Sequence, residues 1–382
     1  MSDWPLTAFA HDESSAGFVP PPYPYDRLDR LRPLGDRFAD GIVDLSIGTP
    51  CDPPPSSVVA ALATSDSERG YPPSIGTESL RRAIQAWLRR RFDVDVGLDH
   101  MAACVGTKEM VATTAHFMRM RSPQRDTVLF PAVSYPTYAM SATIAGCRAV
   151  PVPSTASGAI DLAAVDAADA ARAVMLWVNS PSNPSGALSD LASAAAWGRA
   201  HEVPVFSDEC YVEFTWDGPA ESILQSGPQG VVAVHSLSKR SNLAGLRVGF
   251  YAGDADVVGY LREVRKHVGL LVPGPAQAAA TIALDDDDHV EVQRDRYRRR
   301  LDRLAEVLSR WSGMSVGLPQ GGFYLWFDAV DGWQFAERLA TNGGALVSPG
   351  DLYGTGGANY VRAAVVQPDD RIELIATRLG VR

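Results

Sequence analysis

The sequence predicts an α/β protein whose larger part is a mainly parallel sheet covered by helices, followed by a smaller α+β unit. Two observations carry this. Between residues 127 and 252, six short apolar runs alternate with helix-patterned stretches, the signature of strands joined by crossover helices. After Asp285-Asp286-Asp287-Asp288 the order changes to one long charged helix and then strands and helices in mixed succession.

Residues 1–25 are polar and then Pro-rich (Pro20-Pro21-Pro22-Tyr23-Pro24-Tyr25), which predicts an extended arm outside the main core. From Ser79 to Phe92, Leu80, Ile84, Trp87 and Leu88 recur at helical spacing with arginines elsewhere, an amphipathic helix. The strand candidates are Thr127–Phe130, Ala149–Val152, Ala173–Val178, Val203–Phe206, Val231–His235 and Gly249–Ala252. Helices are predicted over 108–121, 136–146, 190–201 and 254–268. A charged helix is then expected near 289–312, with the preceding acidic run as dipole partner and solvated surface. Strands at Phe323–Phe327, Ala345–Val347 and Tyr360–Val365 and helices near 331–342 and 369–379 complete the smaller unit.

The chain has 382 residues, 46% of them hydrophobic, an ordinary globular composition with room for roughly two domains. A net charge of −10 argues against nucleic-acid binding, and Arg89-Arg90-Arg91 and Arg298-Arg299-Arg300 read as solvated helix faces. Cys51, Cys104, Cys147 and Cys210 are widely spaced, which suggests neither a zinc site nor a disulfide framework; most are expected to be buried thiols. The acidic N-terminus lacks a basic region followed by an apolar core, and no run of about 18 apolar residues occurs, so a cytoplasmic protein without a membrane span is expected.

The chemistry concentrates at the ends of predicted strands, where parallel sheets place ligand sites. Ser236-Leu237-Ser238-Lys239 follows the run Val231–Val234 and precedes Arg247. Two hydroxyls and a guanidinium suit phosphate oxygens, and the lysine can hold an aldehyde cofactor as a Schiff base. A solvated surface lysine explains the motif equally well on its own. Gly106-Thr107-Lys108-Glu109 opens a helix whose terminal amides and Thr107 hydroxyl suit a phosphate, and a simple N-cap by Thr107 is an equal alternative. In Ser134-Tyr135-Pro136-Thr137-Tyr138, Tyr135 is the ring placed to stack on a planar ligand, because Tyr138 falls within the next helix.

Asn179 to Gly186 carries two prolines that fix a loop, so a rigid Asn183 amide can meet a phenolic oxygen and a carboxylate; a plain turn competes with that reading. Asp208, in Ser207-Asp208-Glu209-Cys210-Tyr211, is a strand-end carboxylate that needs a cation or hydrogen bonds, and a protonated pyridine nitrogen meets the need. A structural aspartate satisfied by backbone amides is the competing view. Arg362 interrupts the apolar Tyr360–Val365 and suits an α-carboxylate clamp, or else an exposed edge strand.

Assembled in this order, the motifs from about residue 40 onward resemble the class I/II aminotransferases, pyridoxal-phosphate enzymes of fold type I. The resemblance implies a large cofactor domain, 51–285, with a mainly parallel sheet of the seven-stranded type. A small C-terminal domain, 286–382, follows, and residues 1–50 form an arm and part of the small domain. It implies that Lys239 is the Schiff-base lysine, Asp208 the partner of the pyridine nitrogen, and Tyr211 and Asn183 the ligands of the phenolic oxygen. Gly106, Thr107, Lys108, Ser236, Ser238 and Arg247 then surround the phosphate, and Tyr135 stacks on the ring. Tyr71, in Gly70-Tyr71-Pro72, resembles a tyrosine that reaches the neighbouring subunit's phosphate, which implies a homodimer with shared sites. Gly48 resembles a substrate-proximal glycine, and Arg362 the carboxylate clamp.

Asp44–Pro50, Val105–Glu109, Arg265–Gly269, Ser207–Tyr211, Ser236–Gly245 and Pro349–Gly354 look further like the actinobacterial succinyldiaminopimelate aminotransferases. That implies a ping-pong transamination of N-succinyl-L,L-diaminopimelate with 2-oxoglutarate in lysine biosynthesis, with Lys239 carrying the proton. Arg265, Lys266 and His267 are candidates for a distal carboxylate, against a plain helix-surface role. Ser185 where threonine is usual, Leu246 where an aromatic is common, and Val366-Gln367-Pro368 depart from the pattern. Alternatives are an aspartate or aromatic aminotransferase and, further off, an oxidase or lyase. No metal site is expected.

Overall fold

The structure is a computed structural model, and it describes residues 18–381. Segment Val43–Asp44 is strand β1. Strands β2 to β5 are Met101–Cys104, Thr127–Pro131, Arg148–Val152 and Ala173–Asn179. Strands β6 to β8 are Val205–Asp208, Val231–Ser236 and Gly249–Gly253. Strands β9 to β12 are Tyr324–Asp328, Ala345–Leu346, Ser348–Pro349 and Tyr360–Ala364.

Seven strands form one sheet in the order β2-β8-β7-β6-β5-β3-β4. From β7 to β4 all pairs are parallel, and β8 runs antiparallel to both its neighbours. Strands β5 and β7 are buried at every position, which is why their sequences are continuous apolar runs and not alternating ones. Helices cover both faces, as the α/β expectation requires.

Helix Glu78–Phe92 shows how the sequence builds one of these layers. The Thr77 hydroxyl accepts from the Leu80 amide at its start, and Asp93 closes it in the left-handed conformation. Its buried stripe holds Leu80, Ile84, Trp87 and Leu88, and each aliphatic member contributes roughly 2 kcal/mol on leaving water.

The second core gathers around an antiparallel sheet β11-β12-β9 and the parallel pair β1-β10. Backbone bonding of Ala364 to the Leu45 carbonyl, 2.8 Å, fastens segment 43–48 to the central strand β12. Among the described residues no helix is long and apolar enough to cross a membrane.

Several expectations change. Within the arm, residues 18–23 are exposed and lie outside any helix or strand, as expected, and only its end from Pro24 enters a helix. Pro24–Arg30 is a 3-10 helix, and Leu28 and Leu31 enter the second core. Residues 1–17, including the acidic N-terminus, lie outside the described residues. Strand β2 and helices Ser56–Thr64 and Gly274–Asp285 were not anticipated. The strand placed at 203–206 starts later and ends on Asp208. Arg300 is not on a solvated face: it is buried and grips Asp52 at 2.7 and 2.9 Å and Asp369 at 2.5 Å. Of the cysteines only Cys104 is fully buried, whereas Cys51 is exposed.

Candidate active site

Three neighbouring strands end together. Asn179 closes β5 opposite Asp208 at the end of β6, and Ser236 ends β7 alongside. Helix Thr107–Arg121 starts beside them. These ends, β12 and segment Ile47–Thr49 enclose a cavity of about 460 Å³. Every residue expected to hold the cofactor or the α-carboxylate borders it except Gly106, which backs its wall, and Tyr71. Tyr71 is 98% exposed.

One end of the cavity suits an anion. Thr107, Ser236, Ser238 and Arg247 converge there. The Ser236 oxygen accepts from the Ser238 amide at 3.1 Å, which locks the turn entering the short helix Leu237–Arg240. The open N-terminus of helix Thr107–Arg121 adds unpaired amides. Gly106 stands at its N-cap with φ +75°, and no side chain caps the helix. A Cβ at Gly106 would meet the Arg247 guanidinium, so glycine is what lets that cation close over the helix end. Thr107 is thus not the N-cap; its oxygen faces the Cys210 thiol at 3.1 Å.

In the middle lies Asp208, 6% exposed. It accepts from the Tyr138 hydroxyl at 2.8 Å and from the Cys210 amide at 3.2 Å. Burial raises its pKa in spite of those bonds. Among the described residues no cation forms an ion pair with Asp208, and the Lys239 amine in the same cavity offsets only part of its burial. Lys239 extends its amine into the same space and donates to the Gly48 carbonyl. Burial is the main cause that lowers its pKa to about 8, with Arg362 and Arg247 pushing the same way.

The far end is cationic and aromatic. Arg362, on the central strand of its sheet and 2% exposed, rejects the edge-strand alternative. It donates to Asn183 Oδ1 at 2.8 Å and to the Ser46 carbonyl, while its buried Nε has no partner. With Oδ1 engaged, Asn183 keeps its Nδ2 to donate into the cavity. Tyr324, Tyr353 and Tyr25 stack around the guanidinium with centroids 4.2, 4.7 and 5.9 Å away. The Tyr211 and Tyr324 hydroxyls share a hydrogen bond of 3.0 Å.

These residues fit pyridoxal phosphate. An anion cup, an unpaired buried carboxyl, a ring at Tyr135 and a lysine amine match its phosphate, pyridine nitrogen, flat face and aldehyde in one cavity. The chain has three lysines, Lys108, Lys239 and Lys266, and only the first two border the cavity.

Sequence reasoning missed Tyr138 and Tyr324, whose rings read as packing, and Tyr23 and Tyr25, which read as part of an arm outside the core. The distal-carboxylate candidates do not reach this cavity. Lys266 and His267 are exposed, and Arg265 is buried in an ion pair with Glu109 at 2.5 and 2.9 Å, so it is not a surface residue either.

Residues 40–379 match the family model described as aminotransferase class I and II. The chain is 41% identical to the 4-dedimethylamino-4-oxo-anhydrotetracycline transaminase OxyQ of Streptomyces rimosus, covering 94% of this chain and 99% of that one. It is 31% identical to an LL-diaminopimelate aminotransferase of Dehalococcoides mccartyi, over 92% of this chain and 94% of the other. A solved probable N-succinyldiaminopimelate aminotransferase from Thermus thermophilus superposes with a TM-score of 0.83, at 29% identity and over 93% and 99% of the two chains.

Proposed function

The chain belongs to the class I and II aminotransferases, which use pyridoxal phosphate. From that premise we propose that it moves the α-amino group of N-succinyl-L,L-diaminopimelate to 2-oxoglutarate by a ping-pong sequence. Amino acids and keto acids are the family's substrates. The diaminopimelate relatives support this donor.

When bound, pyridoxal phosphate supplies an aldehyde that captures amines and a ring that draws electrons from their α-carbon. The chain's residues supply the rest. Thr107, Ser236, Ser238 and Arg247 would hold the phosphate, with Gly106 and Lys108 shaping that wall. Asp208 would keep the ring nitrogen protonated, and each charge would relieve the burial cost of the other. Tyr211 and Asn183 Nδ2 would donate to the phenolic oxygen, and Tyr135 would cover the ring face. Arg362 would take the α-carboxylate of the substrate beside Gly48. Lys239 would hold the cofactor and, once displaced, shuttle the proton leaving the substrate's Cα. An amine with a pKa near 8 has a substantial neutral fraction at physiological pH. Tyr71, turned outward from its own cavity, would complete the phosphate site of a partner subunit in a homodimer.

The observation that carries the reading is that the Lys239 amine and the buried Asp208 carboxyl, which has no ion-pair partner, face one cavity. A second reading is favoured by the cavity's aromatic walls, Tyr23, Tyr25, Tyr135 and Tyr324, together with the 41% identity to a transaminase named for a tetracycline intermediate. There the substrate carries rings. One experiment separates them: amino donors, including N-succinyl-L,L-diaminopimelate, aspartate and tryptophan, are assayed with 2-oxoglutarate. A rate confined to the succinylated donor supports the first reading, and a preference for ring-bearing donors replaces it with the second.

A further inference from the structure

A second cavity, of about 580 Å³, adjoins the active site. Its walls include Pro22 and Pro24 of the arm, Met140 and Ile144 of helix Thr137–Ile144, and Leu352. Tyr23, Lys108 and Tyr135 border both cavities. The Lys108 amine donates to the Tyr23 hydroxyl at 3.0 Å and lies 4.5 Å from the centre of its ring, so this pair stands as the partition. Tyr353 lines the second cavity while its ring packs 4.7 Å from the Arg362 guanidinium. The second cavity therefore begins one ring's width from the residue that suits a carboxylate.

We propose that this annex binds the ring-bearing, apolar side chain of an amino-acid substrate whose carboxylate sits on Arg362, with the Tyr23–Lys108 pair as its gate. The proposal rests on the aminotransferase reading of the main cavity and, for its donor, on the second, ring-bearing reading. Its chemistry follows from the walls. Proline and tyrosine present flat, rigid faces on which a ring stacks at low entropic cost. Met140, Ile144 and Leu352 add apolar surface that a polar chain cannot use. Lys108 is the sole charged side chain on the lining, it stands at the mouth, and the Tyr23 hydroxyl already engages it. A short dicarboxylate thus gains nothing from the annex, whereas an indole or larger ring fills it.

The test uses the cofactor-loaded enzyme, with tryptophan and glutamate as donors and indole-3-propionate as an unreactive probe followed by calorimetry. Ala139 lines the annex but not the active-site cavity. Ala139→Trp is expected to lower kcat/KM for tryptophan by at least about tenfold while glutamate stays within about twofold. Probe affinity is expected to fall by a similar factor. Thr143→Tyr, from the same wall, repeats the measurement if the first variant does not fold. Equal losses for both donors, or unchanged probe binding in a folded variant, would overturn the annex. No turnover of any donor, with probe binding still sensitive to Ala139→Trp, supports the annex and sinks the aminotransferase reading instead.

Discussion

The Tyr324 hydroxyl lies 3.0 Å from that of Tyr211, while the Tyr324 ring covers the Arg362 guanidinium at 4.2 Å. One side chain from β9 thus touches both the residue proposed for the cofactor's phenolic oxygen and the residue proposed for the substrate's carboxylate. Burial raises the Tyr211 pKa well above its ordinary value, and Tyr324 adds to the effect. Tyr211 is therefore a neutral donor.

Tyr324→Phe keeps the ring on Arg362 and removes the hydroxyl. The expected result is a shifted pH midpoint for the visible absorbance of the loaded enzyme, with KM for the donor changed by less than about threefold. A loss confined to KM would assign Tyr324 to the carboxylate alone.

Asp208→Asn separates function from stability. The raised pKa means that the ionised carboxyl costs folding energy at neutral pH, and the neutral amide does not. The cofactor-free variant is expected to melt no lower than wild type, while kcat/KM falls by at least about a hundredfold. Thermal scans and steady-state rates check the two halves.

Glu209, behind Asp208, lies 3.3 Å from His235 in the core, and burial raises its pKa to about 7. A carboxyl raised on folding stabilises below its ordinary pKa and loses that contribution as pH rises through the folded value. Glu209→Gln, which can still accept from the Ile223 amide, is therefore expected to gain stability on wild type between about pH 5 and pH 8, by on the order of 2 kcal/mol. Denaturant titrations across that range read it, and a constant difference would show that Glu209 does not titrate there.

Much of this was legible from local chemistry. Strand-end motifs such as Ser236–Lys239 and Asn179–Gly186 announce themselves because turns and phosphate sites demand particular residue types at fixed spacing. The central strands were legible because a parallel sheet buries both faces. What escaped were elements without contrast. Strand β2 is four small or sulfur-bearing residues, and Gly274–Asp285 is Ala-rich and largely buried, so neither shows a polar stripe. Tyr138 and Tyr324 escaped for a different reason. A tyrosine inside an element reads as core, and only the tertiary fold reveals that its hydroxyl meets Asp208 or Tyr211. The prolines announce the exposed stretch 18–23 of the arm, but nothing in that pattern tells that Tyr23 and Tyr25 border the cavity.

In the proposed reaction Lys239 holds the cofactor. Reducing the loaded enzyme with borohydride, digesting it and mapping the added mass asks this directly, because only three lysines are available. The addition is expected on the peptide containing Lys239, and it is expected to disappear in Lys239→Ala together with turnover. Modification at Lys108 or Lys266, or a Lys239→Ala enzyme that keeps its rate, would contradict it.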